Sequence, residues 1–227
     1  MKLIVMITAG GSSERMDGIN KTFALICGKP IIIRSIEAFS KINVDIIVST
    51  KKDKIPLLKT LCISYGLKAK IIPGGNTRYE SVKNMLMATD ATYDFALVHD
   101  GARPLLSQED LALILENCEK HADGIIAVSK VTDTVKTVAS NGIIMKTADR
   151  ESLRFAQTPQ VFKIEILKEA YKKAYEDSFV GTDEASLVER LGKHPAIIET
   201  KYPNPKITYK EDIIYCEALL KSTSINI

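Results

Sequence analysis

The stretch Leu3-Ile4-Val5-Met6-Ile7, followed by the small residues Thr8-Ala9-Gly10-Gly11, decides the fold. A short, continuous apolar run before small residues is typical of a strand that is buried on both faces of a parallel sheet. Segments with helical spacing lie between such runs, as in Ser107–His121, where Ser107 and Asp110 provide a capping start. The alternation predicts an α/β fold with a doubly wound, mostly parallel, Rossmann-like sheet. Four more runs carry the strand signature: Ile46–Val48, Lys70–Ile72, Phe95–Val98 and Gly124–Val128.

The alternation breaks at about residues 131–153. Thr134–Val138 and Ile143–Thr147 flank Ser140-Asn141-Gly142, and Asn-Gly between β-prone segments predicts a hairpin. We expect this hairpin to have little apolar content with which to pack on the sheet, so it should project as an arm. Exposed two-stranded arms are only marginally stable alone, and pairing with a second subunit would solve that problem.

After the arm, the pattern predicts two more strands and three more helices. The strands are expected at Gln160–Phe162 and Ile197–Ile198. The helices are expected near Ile164–Tyr175, from Thr182 to Gly192, and near Glu211–Leu220 with a Thr208-x-x-Glu211 capping box.

Length and composition place the chain among ordinary globular proteins. Its 227 residues are 45% hydrophobic and 26% charged, and we expect one domain, residues 1–227. The net charge is +3 with the signs interspersed, which indicates neither a nucleic-acid nor a membrane partner. Cys27, Cys62, Cys118 and Cys216 lie far apart, so reduced, buried thiols are favoured over a zinc site. The apolar start is too short for a secretory signal, and we expect a cytoplasmic protein.

In open parallel sheets, ligands bind beyond the carboxyl ends of the strands. The loop after the first run is rich in small residues and also carries Arg15 and Lys21, which suits a phosphate group. A flexible, solvated loop with two incidental cations is an equally good interpretation of the loop alone. The loop lacks the G-x-G-x-x-G glycine spacing of a dinucleotide fingerprint. A Walker loop is also absent, since Gly28-Lys29 is followed by Pro30 instead of serine or threonine. An oxidoreductase and a P-loop ATPase are therefore disfavoured.

Two later loops offer polar groups at the same sheet edge. Gly74-Gly75-Asn76 and Ser81 could contact base edges, although Asn76 could instead cap the next helix. His99-Asp100-Gly101-Ala102-Arg103 offers an acid for hydroxyl or metal–phosphate contact and an arginine for phosphate or carboxylate, with a surface Asp100–Arg103 ion pair as the alternative. Further on, Thr158, Thr182-Asp183-Glu184 and Lys206 are polar candidates that could also be purely structural.

Taken together, the chain resembles the 2-C-methyl-D-erythritol 4-phosphate cytidylyltransferases of non-mevalonate isoprenoid synthesis. The resemblance runs in order from residue 4 to about residue 220. Ser13 and Asn76 depart from the family pattern, and base selectivity is the point they put in question. The matching segments are Ala9-Gly10-Gly11 with Arg15-Met16 and Lys21, Gly28-Lys29-Pro30, Gly74-Gly75 with Arg78 and Ser81-Val82, Val98 to Pro104, Val131 to Lys136, Asp149-Arg150, Gln157 to Gln160, Thr182 to Ser186, and Lys206-Ile207-Thr208.

The resemblance implies three groups of site residues. Arg15 and Lys21 would neutralise the triphosphate, while Arg150 and Lys206 would position the attacking phosphate, and these four are the implied catalytic residues. The implied CTP site comprises Ala9, Gly10, Gly11, Arg15, Lys21, Gly75, Asn76, Ser81 and Gly101. The implied sugar-phosphate site comprises Asp100, Arg103, Thr134, Arg150, Thr158, Thr182 and Lys206.

The resemblance also implies partners and chemistry. A phosphate oxygen of the acceptor would attack the α-phosphorus of CTP in line, and pyrophosphate would leave with Mg²⁺. The ion would be held mainly by the phosphates of CTP, with no metal ligands from the protein. A homodimer that exchanges its arms would let Thr134 and Arg150 complete the neighbouring site.

Two alternatives remain open at this point. One is a cytidylyltransferase for ribitol 5-phosphate or another polyol phosphate, although Thr182–Ser186 and Asp149-Arg150 favour the methylerythritol enzyme. The other is a nucleotide-binding regulatory protein without turnover, which would not need to keep Arg15, Lys21, Arg150 and Lys206.

Overall fold

A seven-stranded sheet forms the centre of the computed structural model, which describes residues 1–11, 21–90 and 92–222. The strand order is β11-β7-β10-β6-β1-β4-β5, and every neighbouring pair is parallel except those that involve β10. The mostly parallel sheet is as predicted. The strands are β1 (Leu3–Ala9), β4 (Asp45–Thr50), β5 (Lys70–Pro73), β6 (Phe95–Asp100), β7 (Ile125–Lys130), β10 (Arg154–Lys163) and β11 (Ala196–Glu199), with the short pair β2 (Leu25–Ile26) and β3 (Lys29–Pro30) outside the sheet.

Helices cover both faces of the sheet, which explains why the first strand is apolar throughout. Side chains alternate along β1, so Leu3, Val5 and Ile7 join one core cluster while Ile4 and Met6 join the other. The first cluster includes side chains of α1 (Ile31–Ser40), α2 (Ile55–Ser64) and α4 (Gln108–Asn117). The second includes side chains of α3 (Arg78–Met87), α5 (Ile164–Glu176) and α6 (Glu184–Glu189). The last helix, α7 (Lys210–Ser222), packs against β2 through a third cluster.

The predicted arm is present as an antiparallel hairpin of β8 (Lys136–Val138) and β9 (Ile144–Thr147). Gly142 has a φ of +83° at its tip, a conformation that glycine adopts without strain. The expectation that the arm is poor in apolar groups is wrong. Val138, Ile143, Ile144 and Met145 are 60–68% exposed, so the arm presents an apolar surface.

The termini of two late helices differ from the prediction. Helix α6 is capped by Asp183 rather than Thr182, because the Asp183 carboxylate accepts the N–H of Ser186 at 3.0 Å. At the start of α7, Asp212 accepts the N–H groups of Thr208 and Tyr209 at 2.7 and 2.8 Å. These two bonds make Asp212 the acidic residue of the helix cap, one residue beyond the predicted Glu211.

The prediction of buried thiols is confirmed for three cysteines and is wrong for Cys27. Cys62, Cys118 and Cys216 are buried, whereas Cys27 is exposed, and all four are free thiols. Within residues 1–11, 21–90 and 92–222, no helix has the length and apolar character needed to cross a membrane.

The packing of the core predicts that two isoleucines differ in how much they contribute to the free energy of unfolding. Ile36 on α1 is fully buried, and Ile36→Ala should lower the free energy of unfolding by about 2–5 kcal/mol because it leaves a cavity. The same change at Ile63 on α2, which is 79% exposed, should cost less than about 0.5 kcal/mol. Urea unfolding of both variants measures the difference, and equal losses would contradict the assignment of the core.

Candidate active site

A cavity of about 150 Å³ opens at the carboxyl ends of β1 and β6 and beside the start of α3. It brings together most of the residues predicted to bind CTP, and it also reaches into the predicted acceptor site. Ala9 and Gly101 do not line this cavity, and Arg15 lies outside the described residues. The predicted residues that line it are Gly10, Gly11, Lys21, Gly75, Asn76, Ser81, Asp100 and Lys206.

The Gly74-Gly75 turn is held rigidly against α3. The hydroxyl of Ser81 accepts the N–H of Gly75 at 3.1 Å and donates to the carbonyl of Thr77 at 2.9 Å. A Cβ on Gly75 would lie 2.2 Å from the Cβ of Glu80, so only glycine allows this close approach. Thr77 caps α3 through a capping box with Glu80, so the interpretation of Asn76 as the helix cap is wrong.

Ala9 and Gly101, which do not line the cavity, make backbone hydrogen bonds beside it. The carbonyl of Ala9 accepts the hydroxyl of Thr50 at 3.3 Å. The N–H of Gly101 donates to the carbonyl of Thr8 at 2.9 Å, and a Cβ on Gly101 would lie 2.8 Å from that oxygen. A close approach of the loop after β6 to β1 thus accounts for the glycine that sequence reasoning placed in the nucleotide pocket.

Asp100, the last residue of β6, is the centre of a cluster of charges. Its Oδ1 accepts Nε of Arg78 at 2.9 Å, and its Oδ2 lies 2.8 Å from Nζ of Lys206. The Nε of Arg103 is 3.7 Å from the same Oδ2, an ion pair too long for a hydrogen bond. Burial alone would raise the pKa of Asp100, but the charges of Arg78, Lys206 and Arg103 outweigh it and hold the pKa far below its usual range. The carboxylate is therefore ionised throughout the physiological range.

A second cavity, of about 200 Å³, adjoins the first on the acceptor side. Arg78, Asp100 and Lys206 line both cavities. Of the seven predicted sugar-phosphate residues, five line the second cavity: Asp100, Arg103, Thr158, Thr182 and Lys206.

Thr134 and Arg150, although described, do not line either of these two cavities. Both are exposed near the base of the arm, and Nη1 of Arg150 donates to the carbonyl of Thr132 at 2.8 Å. Within one chain, the structure does not bring these two residues to the site.

Arg103 retains hydrogen-bonding capacity beside the second cavity. Its Nη1 donates to the carbonyl of Asn204 at 2.7 Å, while its buried Nε has no hydrogen-bond partner. Buried donors of this kind usually have a hydrogen-bond partner, and this Nε lies 3.7 Å from Oδ2 of Asp100.

Lys206 is placed by the backbone on either side of it. The N–H of Ile207 donates to the carbonyl of Ala102 at 2.9 Å, and the Ile207 side chain is fully buried with Ile26, Leu105 and Cys216. The C-terminal segment is thus tied to the loop after β6, which brings the ammonium group to Asp100.

His99 anchors the loop from the opposite face of β6. The ring is fully buried, and burial lowers its pKa to about 4, so it is neutral at pH 7. The Thr158 hydroxyl accepts the N–H of Asp100 at 3.0 Å and lies 3.1 Å from Nδ1 of His99. The carbonyl of Arg103 lies 3.0 Å from Nε2. This pattern assigns the tautomer with hydrogen on Nε2, which donates to Arg103 while Nδ1 accepts from Thr158.

Sequence reasoning included Arg78 in a matching motif without a site role, and it named Glu184 only as a polar candidate that could be structural. Nη1 and Nη2 of Arg78 donate to the two oxygens of Glu184 at 2.7 and 2.9 Å. The position of Arg78 could have indicated its role, because it is the first residue of α3. The positive end of the helix dipole disfavours a cation there unless a carboxylate partner lies nearby.

Metal binding by the protein alone has little support in the described residues. Within them, no group of three or more His, Cys, Asp or Glu side chains is placed to hold an ion. Asp100 is already surrounded by three cations. An ion that arrives bound to substrate phosphates would need no such group of protein ligands.

The sheet edge, the glycine-rich turns and the two adjoining cavities with cationic side chains suit a class of protein that binds two phosphate-bearing ligands side by side. The family model for IspD, 2-C-methyl-D-erythritol 4-phosphate cytidylyltransferase, matches residues 3–222. The chain belongs to this family.

Individual relatives agree with that assignment. The chain is 42% identical to the 2-C-methyl-D-erythritol 4-phosphate cytidylyltransferase of Endomicrobium trichonymphae, over 98% of this chain and 100% of the relative. It is 38% identical to the enzyme of that name from Bacillus anthracis, over 95% and 96%. The crystal structure of the Thermus thermophilus enzyme of that name superposes with a TM-score of 0.81 at 29% identity, covering 97% of this chain and 100% of the other. The 4-diphosphocytidyl-2C-methyl-D-erythritol synthase of Anaerococcus prevotii superposes with a TM-score of 0.87 at 27% identity, covering 97% and 96%.

The buried His99 predicts a pH-dependent loss of stability. The folded protein keeps this ring neutral down to about pH 4, whereas the unfolded chain binds the proton at the ordinary pKa of 6.5. This contribution to stability is complete above pH 6.5 and is lost as the pH falls toward 4. The stability advantage of the wild type over His99→Gln should therefore shrink by about 2 kcal/mol between about pH 7.5 and about pH 5.

Urea unfolding at each pH measures this advantage. His121→Gln is the matched control, because His121 is exposed and outside the site. A constant difference between the wild type and His99→Gln would contradict a buried, neutral ring.

Proposed function

We propose that the protein transfers the cytidylyl group of CTP to 2-C-methyl-D-erythritol 4-phosphate, giving 4-diphosphocytidyl-2-C-methyl-D-erythritol and pyrophosphate in the non-mevalonate pathway. Family membership supports this activity. The structural observation that carries it is the pair of adjoining cavities with Arg78, Asp100 and Lys206 common to both. A donor nucleotide and an acceptor phosphate can meet at that shared wall.

The reaction needs positive charge and orientation more than it needs a base. A phosphate monoester is largely ionised near neutral pH, so no group has to remove a proton before its oxygen attacks the α-phosphorus in line. Both reactants are anions, and cations with fixed N–H dipoles stabilise the additional charge of the transition state. Lys21 in the first cavity is assigned to the triphosphate, and so is Arg15, which lies outside the described residues.

On the acceptor side, Lys206 and Arg103 are assigned to the phosphate, and Asp100 to hydroxyl groups of the acceptor. An ammonium group has three donors, so Lys206 can keep its contact with Asp100 and still bind a phosphate oxygen. The guanidinium of Arg103, which lines the second cavity, supplies a further positive charge.

We include Mg²⁺ in the proposal as an ion carried by CTP. When bound, it neutralises phosphate oxygens and the leaving pyrophosphate. The lack of a multidentate ligand cluster among the described side chains agrees with this mode of binding. The reactants are water-soluble phosphates, and we assign the reaction to the cytoplasm.

We also propose that the active form is a homodimer in which the arms are exchanged. The arm exposes Val138, Ile143, Ile144 and Met145, an apolar surface that a second copy could cover. Arg150 stands away from both cavities of its own chain, so exchange would let it serve the neighbouring acceptor site.

The assay that tests the activity measures pyrophosphate release from CTP and Mg²⁺ with methylerythritol phosphate or ribitol 5-phosphate as acceptor. Release with methylerythritol phosphate alone is expected. The family relatives do not favour the polyol alternative, and release with ribitol 5-phosphate alone would overturn the assigned acceptor. Binding of CTP without release in either reaction would indicate the regulatory alternative.

Lys21→Ala should lower kcat by about 100-fold or more while changing the Kd for CTP by less than about tenfold, because its charge acts mainly on the transition state. Steady-state kinetics and CTP titration give the two numbers. Lys59→Ala is the control, since Lys59 is exposed on α2 and lies away from the site. An unchanged kcat would remove Lys21 from the catalytic groups.

Arm exchange predicts complementation between two inactive variants. When Arg150→Ala and Asp100→Ala chains form dimers at random, half of the dimers are mixed, and each mixed dimer has one intact site. Activity should therefore recover to about a quarter of the wild-type value. Asp100→Ala mixed with Lys206→Ala is the control, because both changes affect the same half of the site and no intact site can form. Mixed dimers without recovered activity would contradict exchange.

A further inference from the structure

A chain of ionic hydrogen bonds, called the relay below, runs from α5 and α6 to the centre of the site; Glu184 and Asp100 in it are buried, and Arg78 is partly exposed. The planar guanidinium of Arg78 donates through Nη1 and Nη2 to both oxygens of Glu184 and through Nε to Oδ1 of Asp100. A guanidinium fork held by two parallel hydrogen bonds has a fixed plane, so the direction of the remaining Nε–H is fixed as well. Arg78 can therefore hold one oxygen of Asp100 in a defined position.

Glu184 is itself anchored from behind. It is fully buried, and its Oε1 accepts the hydroxyl of Tyr171 at 3.0 Å. Tyr171 stacks on Tyr79, with ring centroids 4.8 Å apart, and its carbonyl accepts the Tyr79 hydroxyl at 3.0 Å. The relay therefore ends in packed aromatic side chains of α3 and α5 rather than in solvent.

The position of Arg78 is unfavourable for stability alone. It is the first residue of α3, where the helix dipole repels a cation, and its partner Glu184 is desolvated. A buried ion pair of this kind contributes little net stability compared with apolar residues of the same size. Stability therefore does not account for Arg78 at this position, whereas its fixed contact with Asp100 suggests a role in the site.

Arg78 makes the two carboxylate oxygens of Asp100 bind different cations. Because Arg78 occupies Oδ1, Asp100 presents Oδ2 to Lys206 and Arg103. Without Arg78, both oxygens could turn toward those two cations and hold them more tightly, which would leave less of their charge for a phosphate.

We propose that Arg78 is a positioning residue for the acceptor phosphate: clamped by Glu184 and Tyr171, it holds Oδ1 of Asp100 and so keeps Lys206 and Arg103 available to the ligand. This assignment rests on the proposed function for its ligand. It gives a role to Arg78, which lines both cavities, and to Glu184 and Tyr171 behind it.

The test uses the double variant Arg78→Met/Glu184→Gln. It removes the clamp while keeping the summed charge of the five ionic side chains (those two with Asp100, Arg103 and Lys206) at +1, and it leaves no unpaired buried carboxylate that could unfold the protein. We expect the KM for the acceptor to rise about tenfold or more, with kcat and the Kd for CTP changed less than about threefold. Lys83→Met, on the same helix but outside the relay, should leave all three constants unchanged.

The Asp100→Asn background shows whether Arg78 acts through Asp100. There, the double variant should raise the acceptor KM by less than about twofold, because coupled residues are not additive. A full tenfold rise in that background would overturn the proposal, as would a KM unchanged in the wild-type background or a selective loss of CTP binding. Tyr171→Phe, which removes only the hydroxyl, should shift the acceptor KM in the same direction by about twofold.

A measurement without turnover separates this inference from the proposed function. Competitive acetylation followed by mass spectrometry compares the amine of Lys206 with that of Lys59. The double variant should lower the relative reactivity of Lys206 severalfold, and the decrease should vanish with Asp100→Asn. Wild-type protein that releases no pyrophosphate would contradict the assigned reaction, whereas unchanged Lys206 labelling would contradict the relay.

Discussion

The site depends on the ion pairs that the carboxylate of Asp100 makes with the cations around it. Asp100 lies at the carboxyl end of β6, close to the middle of the sheet, and is only 5% exposed. A buried carboxylate needs opposite charge around it, and Asp100 obtains it from Arg78, Arg103 and Lys206. These cations come from the start of α3, the loop after β6 and the C-terminal segment. One negative charge therefore joins three distant parts of the chain into one site.

Both faces of β6 contribute to fixing that carboxylate. On one side, the Thr158 hydroxyl joins the backbone of Asp100 to His99, whose ring meets Phe39 edge-on at 5.2 Å. On the other, Glu184 carries the fork of Arg78. A transferase that acts on two anions benefits from charges already in place, because they need no reorganisation during the reaction. The arm, whose apolar side chains are exposed, takes no part in this frame.

Prediction from sequence succeeded where the signal was local. Leu3–Ala9 needed only its apolar run and the glycines after it, and the Asn141-Gly142 turn needed only two residues. It failed where neighbouring groups competed for one role. Asp183 took the helix cap expected at Thr182, and Thr77 took the one considered for Asn76, because a side chain can cap only if the backbone already points its oxygen at the free N–H groups.

The amino-acid sequence alone determined the sheet, the arm and the identity of the loops that carry the chemistry, because period, turn residues and strand ends are written in contiguous residues. Tertiary structure alone decided how those loops combine. It inserted β10 antiparallel between β6 and β7, and it paired Arg78 with Glu184 across 106 residues. It also left Arg150 outside the cavities of its own chain. Such pairings follow from the strand order and from the cost of leaving a buried charge without a partner, and neither is visible in any short stretch of sequence.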